Sequence, residues 1–350
     1  MEEILNKIRG LNTQIMEEVQ IRLDKLTKPL GSLGRLEDIV KQIAGITEQV
    51  SPDVDKKAVI IMCSDNGVVD EGVTQAPKSV TSSVTRNFMK GITGINVFTR
   101  HTGSDIFVVD IGVDDDIECP GIINRKIRKG TWNIAVGPAM TKEEAIRAIK
   151  TGIEIVAELK NKGYNLLGTG EMGIGNTTTS SAIAGVLTGA EAEDVVGRGA
   201  GLSSEGLKRK IQVVRQAIKI NNPDKEDALD VLHKLGGFDI AGLVGCFIGA
   251  AAYRIPILID GFISATAALL AVKIKLEIKE FLLPSHMSSE PGTKKVIDML
   301  GLEPYLHLKM RLGEGTGAAL AFHIIDAAIA AYKEMGTFDD AKIEQYVPLK

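Results

Sequence analysis

The sequence predicts an α/β fold: a doubly wound, mainly parallel sheet of the Rossmann-like kind, flanked by helices, with a small helical domain built from both chain ends. Three observations predict it. Short apolar runs closed by an acid or a glycine recur through the middle of the chain: AVIIMC before Asp65, IFVVDIG through Asp110, LLGTG before Glu171 and IPILID ending at Asp260. Buried parallel strands read this way. Amphipathic segments separate them; between Lys142 and Lys162, Ala145, Ala148, Ile149, Gly152, Ile155, Val156 and Leu159 form an apolar stripe at helical spacing. Strand then helix, repeated, is the pattern of a doubly wound sheet. Composition agrees, because 44% of the 350 residues are hydrophobic but only 4% aromatic, and 37 are glycine. Small aliphatic side chains against glycine turns suit a layered α/β enzyme.

Residues 1–50 are expected to form N-terminal helices of the small domain. Ile4, Ile8, Leu11, Ile15 and Val19 follow at steps of three or four, PLGSLG breaks the pattern at Pro29 to Gly34, and it resumes at Leu36. Residues 51–300 form the large catalytic domain. Within it, the tract Val80 to Gly91 places Val84, Asn87 and Phe88 along one helical face, which suits either core packing or the lining for a flat aromatic ligand. A further strand is expected at Phe281 to Leu283. Residues 301–350 return to helix, notably Gly317 to Met335, and complete the small domain. Ligands on such a sheet bind beyond the carboxyl ends of the strands, where Asp65, Glu171, Asp260 and the Ser285 loop emerge.

Several classes are excluded or disfavoured. With 41 basic and 45 acidic side chains, a net charge of −4 supplies no excess to neutralise a nucleic-acid backbone. Cys63, Cys119 and Cys246 are far apart and lack a CxxC spacing, so neither a disulfide framework nor a zinc site is expected. The N-terminus, MEEILNKIRGLNTQ, has no basic segment followed by an apolar core, so no secretory signal is expected and a cytoplasmic location is. The most apolar region, Ile240 to Val272, is interrupted by Arg254, Pro256 and Asp260, short of the roughly 20 residues a membrane span requires.

Three glycine-rich motifs carry the chemistry. In GEMGIGNTTTSSAIAG, Gly170 to Gly185, a strand ends in a glycine loop and a helix expected to begin near Thr178. Gly173 and Gly175 let backbone N–H groups approach an anion, Asn176 and Thr177 add polar contacts, and the helix N-terminus adds positive potential. A phosphate fits there; so does a turn that merely packs helix on strand. Glu171 is the odd member, since a carboxylate beside a phosphate must face something else, such as a sugar hydroxyl or a nitrogen base. In RLGEGTGAALA, Arg311 to Ala321, Glu314 sits between glycines at a helix entry, as a dipole-stabilising cap or as a candidate general base. In SHMSSEPG, Ser285 to Gly292, hydroxyls cluster before Pro291, for ribose or phosphate binding or as an ordinary helix cap. Arg198 in VGRGAGL, with Lys208, Arg209 and Lys210 beyond it, adds positive charge, though such a run is usually a solvated face.

Taken in order, LTKPLGSLGRLE, SDNGVVDEGV, GEMGIGNTTTSSAI, VGRGAG, GGFDIAGLVG, DGFISATAAL, SHMSSEPG and RLGEGTGAALA resemble the nicotinate-nucleotide:dimethylbenzimidazole phosphoribosyltransferases of cobalamin synthesis, nearly end to end. The resemblance implies transfer of ribose 5-phosphate from nicotinate mononucleotide to a benzimidazole, with inversion at the anomeric carbon. It implies Glu314 as general base, Glu171 as second active-site acid, and Gly173, Gly175, Asn176, Thr177, Lys210 and Ser288 as phosphate and ribose contacts. Val84, Phe88 and Leu312 are expected to line the acceptor-base pocket. A homodimer is implied, and no cofactor and no metal, because the donor's pyridinium leaves as nicotinate without either. Benzimidazole, adenine or a phenol stand as alternative acceptors. The rival readings are a dinucleotide-dependent oxidoreductase, which would need a GxGxxG fingerprint after the first strand, and a non-catalytic nucleotide-binding protein.

Overall fold

The computed structural model describes residues 1–345; positions 346–350 of the expected small domain lie outside the described residues. Six strands form one sheet: β1 Lys57–Ser64, β2 Asp105–Gly112, β3 Ile123–Asn124, β4 Leu166–Met172, β5 Ile257–Ile259 and β6 Leu282–Pro284. Their spatial order is β3-β2-β1-β4-β5-β6, and every pairing is parallel. All eight residues of β1 are buried. Successive side chains leave opposite faces of a strand, so Ala58, Ile60 and Met62 enter one core and Val59, Ile61 and Cys63 the other. Two covered faces explain why the strand runs carry no polar alternation.

The first core lies under the helices Lys142–Asn161, Phe238–Tyr253 and Phe262–Ile274. Thr141 opens the Lys142–Asn161 helix with a reciprocal cap: its hydroxyl accepts from Glu144 N–H and the Glu144 carboxylate accepts from Thr141 N–H. The second core takes side chains from both chain ends: Val19 and Leu23 of Thr13–Lys25, Ile39 and Ile43 of Arg35–Thr47, and Phe322, Ile325 and Tyr332 of Thr316–Glu334. Those ends also bond directly. Tyr332 donates its hydroxyl to the Val50 carbonyl at 2.8 Å, and Leu26 and Thr337 form an antiparallel bridge. Among the described residues, no helix is long and apolar enough to cross a membrane.

Three elements differ from expectation. The strand expected at Phe281 to Leu283 is Leu282–Pro284, because Leu276–Phe281 is a 3-10 turn that drives Phe281 into the core. The two-residue β3 is too short to leave a pattern. The helix expected near Thr178 runs Asn176–Thr188 and starts from Gly175, whose φ of +95° a side chain would resist. What the topology does for function is set by its order: neighbours run outward from β1 through β2 and β3, and from β4 through β5 and β6. The crevice at that reversal is where such sheets bind ligands.

Candidate active site

β1, β4, β5 and β6 end on one edge of the sheet, bringing Asp65, Glu171, Asp260 and the loop from Ser285 to Ser288 together. Beyond that edge lies a cleft of about 300 Å³, with Glu171, Gly173, Thr177, Lys210, Ser288 and Leu312 on its wall. Gly175, Asn176 and His286 share the same wall. The volume is at the lower end of small-molecule sites.

Glu171 is the penultimate residue of strand β4, paired with Met62 of β1, and not part of the loop after it. Its Oε2 accepts from the Asn176 side-chain amide, which also reaches Oδ2 of Asp239 at 3.0 Å. Both carboxylates are buried, Asp239 completely. Burial, then the neighbouring Asp239 charge, pushes Glu171 up to about 8 against the pull of Asn176. Burial likewise raises Asp239 to about 7. Two buried carboxylates sharing one amide cannot both ionise readily, so at neutral pH the pair retains a proton. Asp239 was legible only as the single acid opening a wholly apolar helix, a position that by itself reads as dipole compensation.

Glu314 stands at φ +61° between Gly313 at +80° and Gly315 at +91°. Three consecutive left-handed residues make a sharp loop, and for the non-glycine among them the conformation costs about 1–2 kcal/mol. Gly313 is glycine for a second reason: a Cβ there would lie 2.4 Å from Glu171 Oε1. The loop delivers the half-buried Glu314 side chain to the start of the Gly94–Thr102 helix, where Oε2 accepts from Ile95 N–H at 3.0 Å. Burial raises its carboxyl above the ordinary range, Ile95 N–H opposes that, and the Asp260 charge adds to the rise. The carboxylate thus serves the start of the Gly94–Thr102 helix and not the one it precedes, whose N-cap residue Gly315 makes no side-chain cap. Leu312 and Gly313 line the cleft, and Glu314 follows just behind them.

Lys210 is buried and donates from Nζ to the Thr177 hydroxyl at 2.7 Å. Burial pulls its ammonium down to about 8, with Glu290 opposing. Arg311 donates to the Gly199 carbonyl at 2.8 Å and lines the same cleft. These cations converge on one end of the cleft, with the N-terminus of Asn176–Thr188 beside them. Gly173 is needed for packing, since a Cβ would meet the Ser64 carbonyl at 2.5 Å. The Ser288 hydroxyl accepts from Glu290 N–H at 3.3 Å and sits on the wall.

The acceptor-pocket expectation fares unevenly. Leu312 is on the wall and 57% exposed. Val84 and Phe88 are not among the cleft's lining residues; Phe88 is closed into the second core at 1% exposure, and Val84 packs partly buried against it. A helical stripe has one apolar face, and here that face went to the core. Among the described residues, no group of three or more His, Cys, Asp or Glu side chains is placed to hold a metal ion.

Architecture and site define an α/β enzyme with a cleft at the reversal point of its sheet, which holds the cations Lys210 and Arg311 and the raised carboxyl group of Glu171. Residues 8–343 match the family model described as phosphoribosyltransferase, and the chain belongs to that family. A protein of Ruminiclostridium cellulolyticum named nicotinate-nucleotide–dimethylbenzimidazole phosphoribosyltransferase is 67% identical over 349 residues, covering 100% of this chain and 99% of its own. A protein of the same name from Acetivibrio thermocellus is 68% identical over 346 residues, covering 99% of each. The crystal structure of CobT from Thermus thermophilus superposes with a TM-score of 0.90 at 37% identity, over 95% of this chain and 100% of that one.

Proposed function

We propose that this protein transfers the 5-phosphoribosyl group of nicotinate mononucleotide to 5,6-dimethylbenzimidazole or a related lower-ligand base, giving nicotinate and α-ribazole 5′-phosphate with inversion at the anomeric carbon. The observation that carries it is one cleft that joins the cations Lys210 and Arg311 to the Glu171 carboxyl group, with Gly313 on its wall next to Glu314, in a chain that matches relatives of that name over nearly its whole length. The bond from the anomeric carbon to the pyridinium nitrogen breaks, its electron pair neutralising the ring as nicotinate leaves. An imidazole nitrogen of the acceptor attacks the opposite face of the oxocarbenium-like carbon, and the proton on its other nitrogen passes to Glu314. Glu171, beside that carbon, stabilises its positive charge on ionising. Lys210, Thr177, Ser288 and the backbone around Gly173, Gly175 and Asn176 hold phosphate and ribose. Leu312 covers the acceptor ring.

The test is direct: the purified protein is incubated with nicotinate mononucleotide and a panel of 5,6-dimethylbenzimidazole, benzimidazole, adenine and phenol, and products are identified by mass. A ribosylated benzimidazole is expected, and no ribosylated product from any acceptor would overturn the assignment. Lys210 carries a second expectation. Because its ammonium is held near 8 by burial, KM for nicotinate mononucleotide rises as pH climbs from about 7 to about 9.5, and Lys210→Met raises it roughly tenfold at pH 7. A KM flat with pH in the wild type counts against Lys210 as the phosphate cation.

The homodimer belongs to this reading as well. Ile92 and Val97, on either side of the helix start that meets Glu314, are 67% and 52% exposed, and Leu312 beside them is 57% exposed. A second copy covering these side chains would close the acceptor end of the cleft, in a cytoplasmic enzyme.

A further inference from the structure

We propose that Asp260 is a positioning residue for the transfer, acting through the backbone of the loop that carries Glu314. The inference rests on Glu314 being the base, as argued above. Asp260 follows β5 and is 3% exposed, behind the cleft wall. Its Oδ2 accepts from Gly315 N–H at 3.1 Å, and its Oδ1 accepts from Gly317 N–H at 2.7 Å and Ala318 N–H at 3.2 Å. The Glu171 carboxylate accepts from Glu314 N–H. Four N–H groups in a stretch of five residues therefore end on two carboxylates carried by neighbouring strands.

That geometry explains how a left-handed triplet is kept. Gly313, Glu314 and Gly315 have no intrinsic preference for their conformation over others, and a helix begins immediately after them. Its first N–H groups have no intrahelical partner, and an anion satisfies them best. The anion comes not from the adjoining chain but from the sheet, 55 residues before Gly315. Asp260 is itself fixed: its N–H donates to the Ser264 hydroxyl at 3.1 Å, and its carbonyl accepts from the Ser285 hydroxyl at 3.3 Å. Gly317 leaves the loop no alternative seat, because a Cβ there would lie 1.8 Å from His286 Nδ1. The loop's position is thus referred to the sheet edge that also carries Glu171.

Asp260→Asn tests this, since it keeps the shape but turns one acceptor into a donor facing N–H groups. Displacing a catalytic group by about 1 Å costs up to about 100-fold. We expect kcat to fall roughly 10- to 100-fold while KM for nicotinate mononucleotide stays within about twofold, because Lys210 and Thr177 at the phosphate end are held independently of Gly315, Gly317 and Ala318. In a Glu314→Gln background the same change costs under about threefold, since residues acting as a unit are not additive. Should Asp260→Asn not fold, Asp260→Ser, smaller and still an acceptor, enters the same cycle. A full loss that repeats in the Glu314→Gln background, or an unchanged kcat, overturns the inference. Near-wild-type turnover by Glu314→Gln alone overturns the base assignment instead, so the two failures are distinguishable.

Discussion

Glu314→Gln is expected to lower kcat by about 10³-fold while leaving the fold and nicotinate mononucleotide binding intact. The size follows from the chemistry: general-base assistance contributes roughly 10²- to 10⁴-fold, and here the proton comes from an acceptor whose nucleophilic nitrogen becomes cationic as it attacks. Glutamine's amide oxygen can still accept from Ile95 N–H, as the carboxylate does at 3.0 Å, so the start of the Gly94–Thr102 helix keeps its cap. A thermal melt close to the wild type's separates this from unfolding. The pH dependence has a fixed sign. As the proposed base Glu314 works ionised, and burial together with Asp260 raises its carboxyl above the ordinary range, so wild-type kcat is expected to rise with pH through that raised value. The variant loses this limb and keeps the one that follows from ionising Glu171 near 8. Steady-state kinetics from about pH 5 to pH 8 measure both effects, and a variant that retains full turnover would remove Glu314 from the role of base.

The sequence made the sheet legible because its strands are buried on both faces. With amphipathic helices on either side, an uninterrupted run such as AVIIMC fits a buried strand and little else, and the acids that end these runs mark the functional edge. Pattern alone places Glu171, Asp260 and the Ser285 loop at that edge, and the structure brings them together. Glu314 is legible because glycines surround it, a local signal. What remained hidden was how these acids are coupled. The hold of Asp260 on Gly315, Gly317 and Ala318 joins segments whose spacing carries no period. Asp239 meets Glu171 only through the Asn176 amide. Phe88 shows the converse limit, since a stripe at helical spacing says that one face is buried without saying against what. β3 and the Leu282–Pro284 strand are so short that register with a neighbour, not their own residues, defines them.

Gly152 is the clearest case of a residue whose role no local pattern reveals, and it yields the largest expected effect on stability. In sequence it is one more small member of the apolar stripe on Lys142–Asn161. In the fold that helix lies so close to Phe238–Tyr253 that a Cβ on Gly152 would stand 2.0 Å from the Gly242 carbonyl oxygen and 2.7 Å from Cys246 N. The approach is reciprocal, with a Cβ on Gly245 falling 2.0 Å from the Ile149 carbonyl oxygen. Backbone faces backbone, so no rotamer change relieves the clash, and the second helix cannot retreat because Gly242 already rests on Met62 and Ile111 of the sheet. Alanine is favoured over glycine inside a helix by about 1 kcal/mol, whereas overpacking costs about 1–3 kcal/mol and more where nothing can yield. Overpacking wins. Gly152→Ala is expected to lose about 3 kcal/mol, seen as a fall in Tm of roughly 4 °C in a chain of this size. Gly185→Ala supplies the control, because its added Cβ meets only ordinary contacts at 3.4 Å and beyond, so propensity prevails and Tm rises slightly. If calorimetry finds both variants shifted in the same direction, the close approach of the two helices is not what requires glycine at position 152.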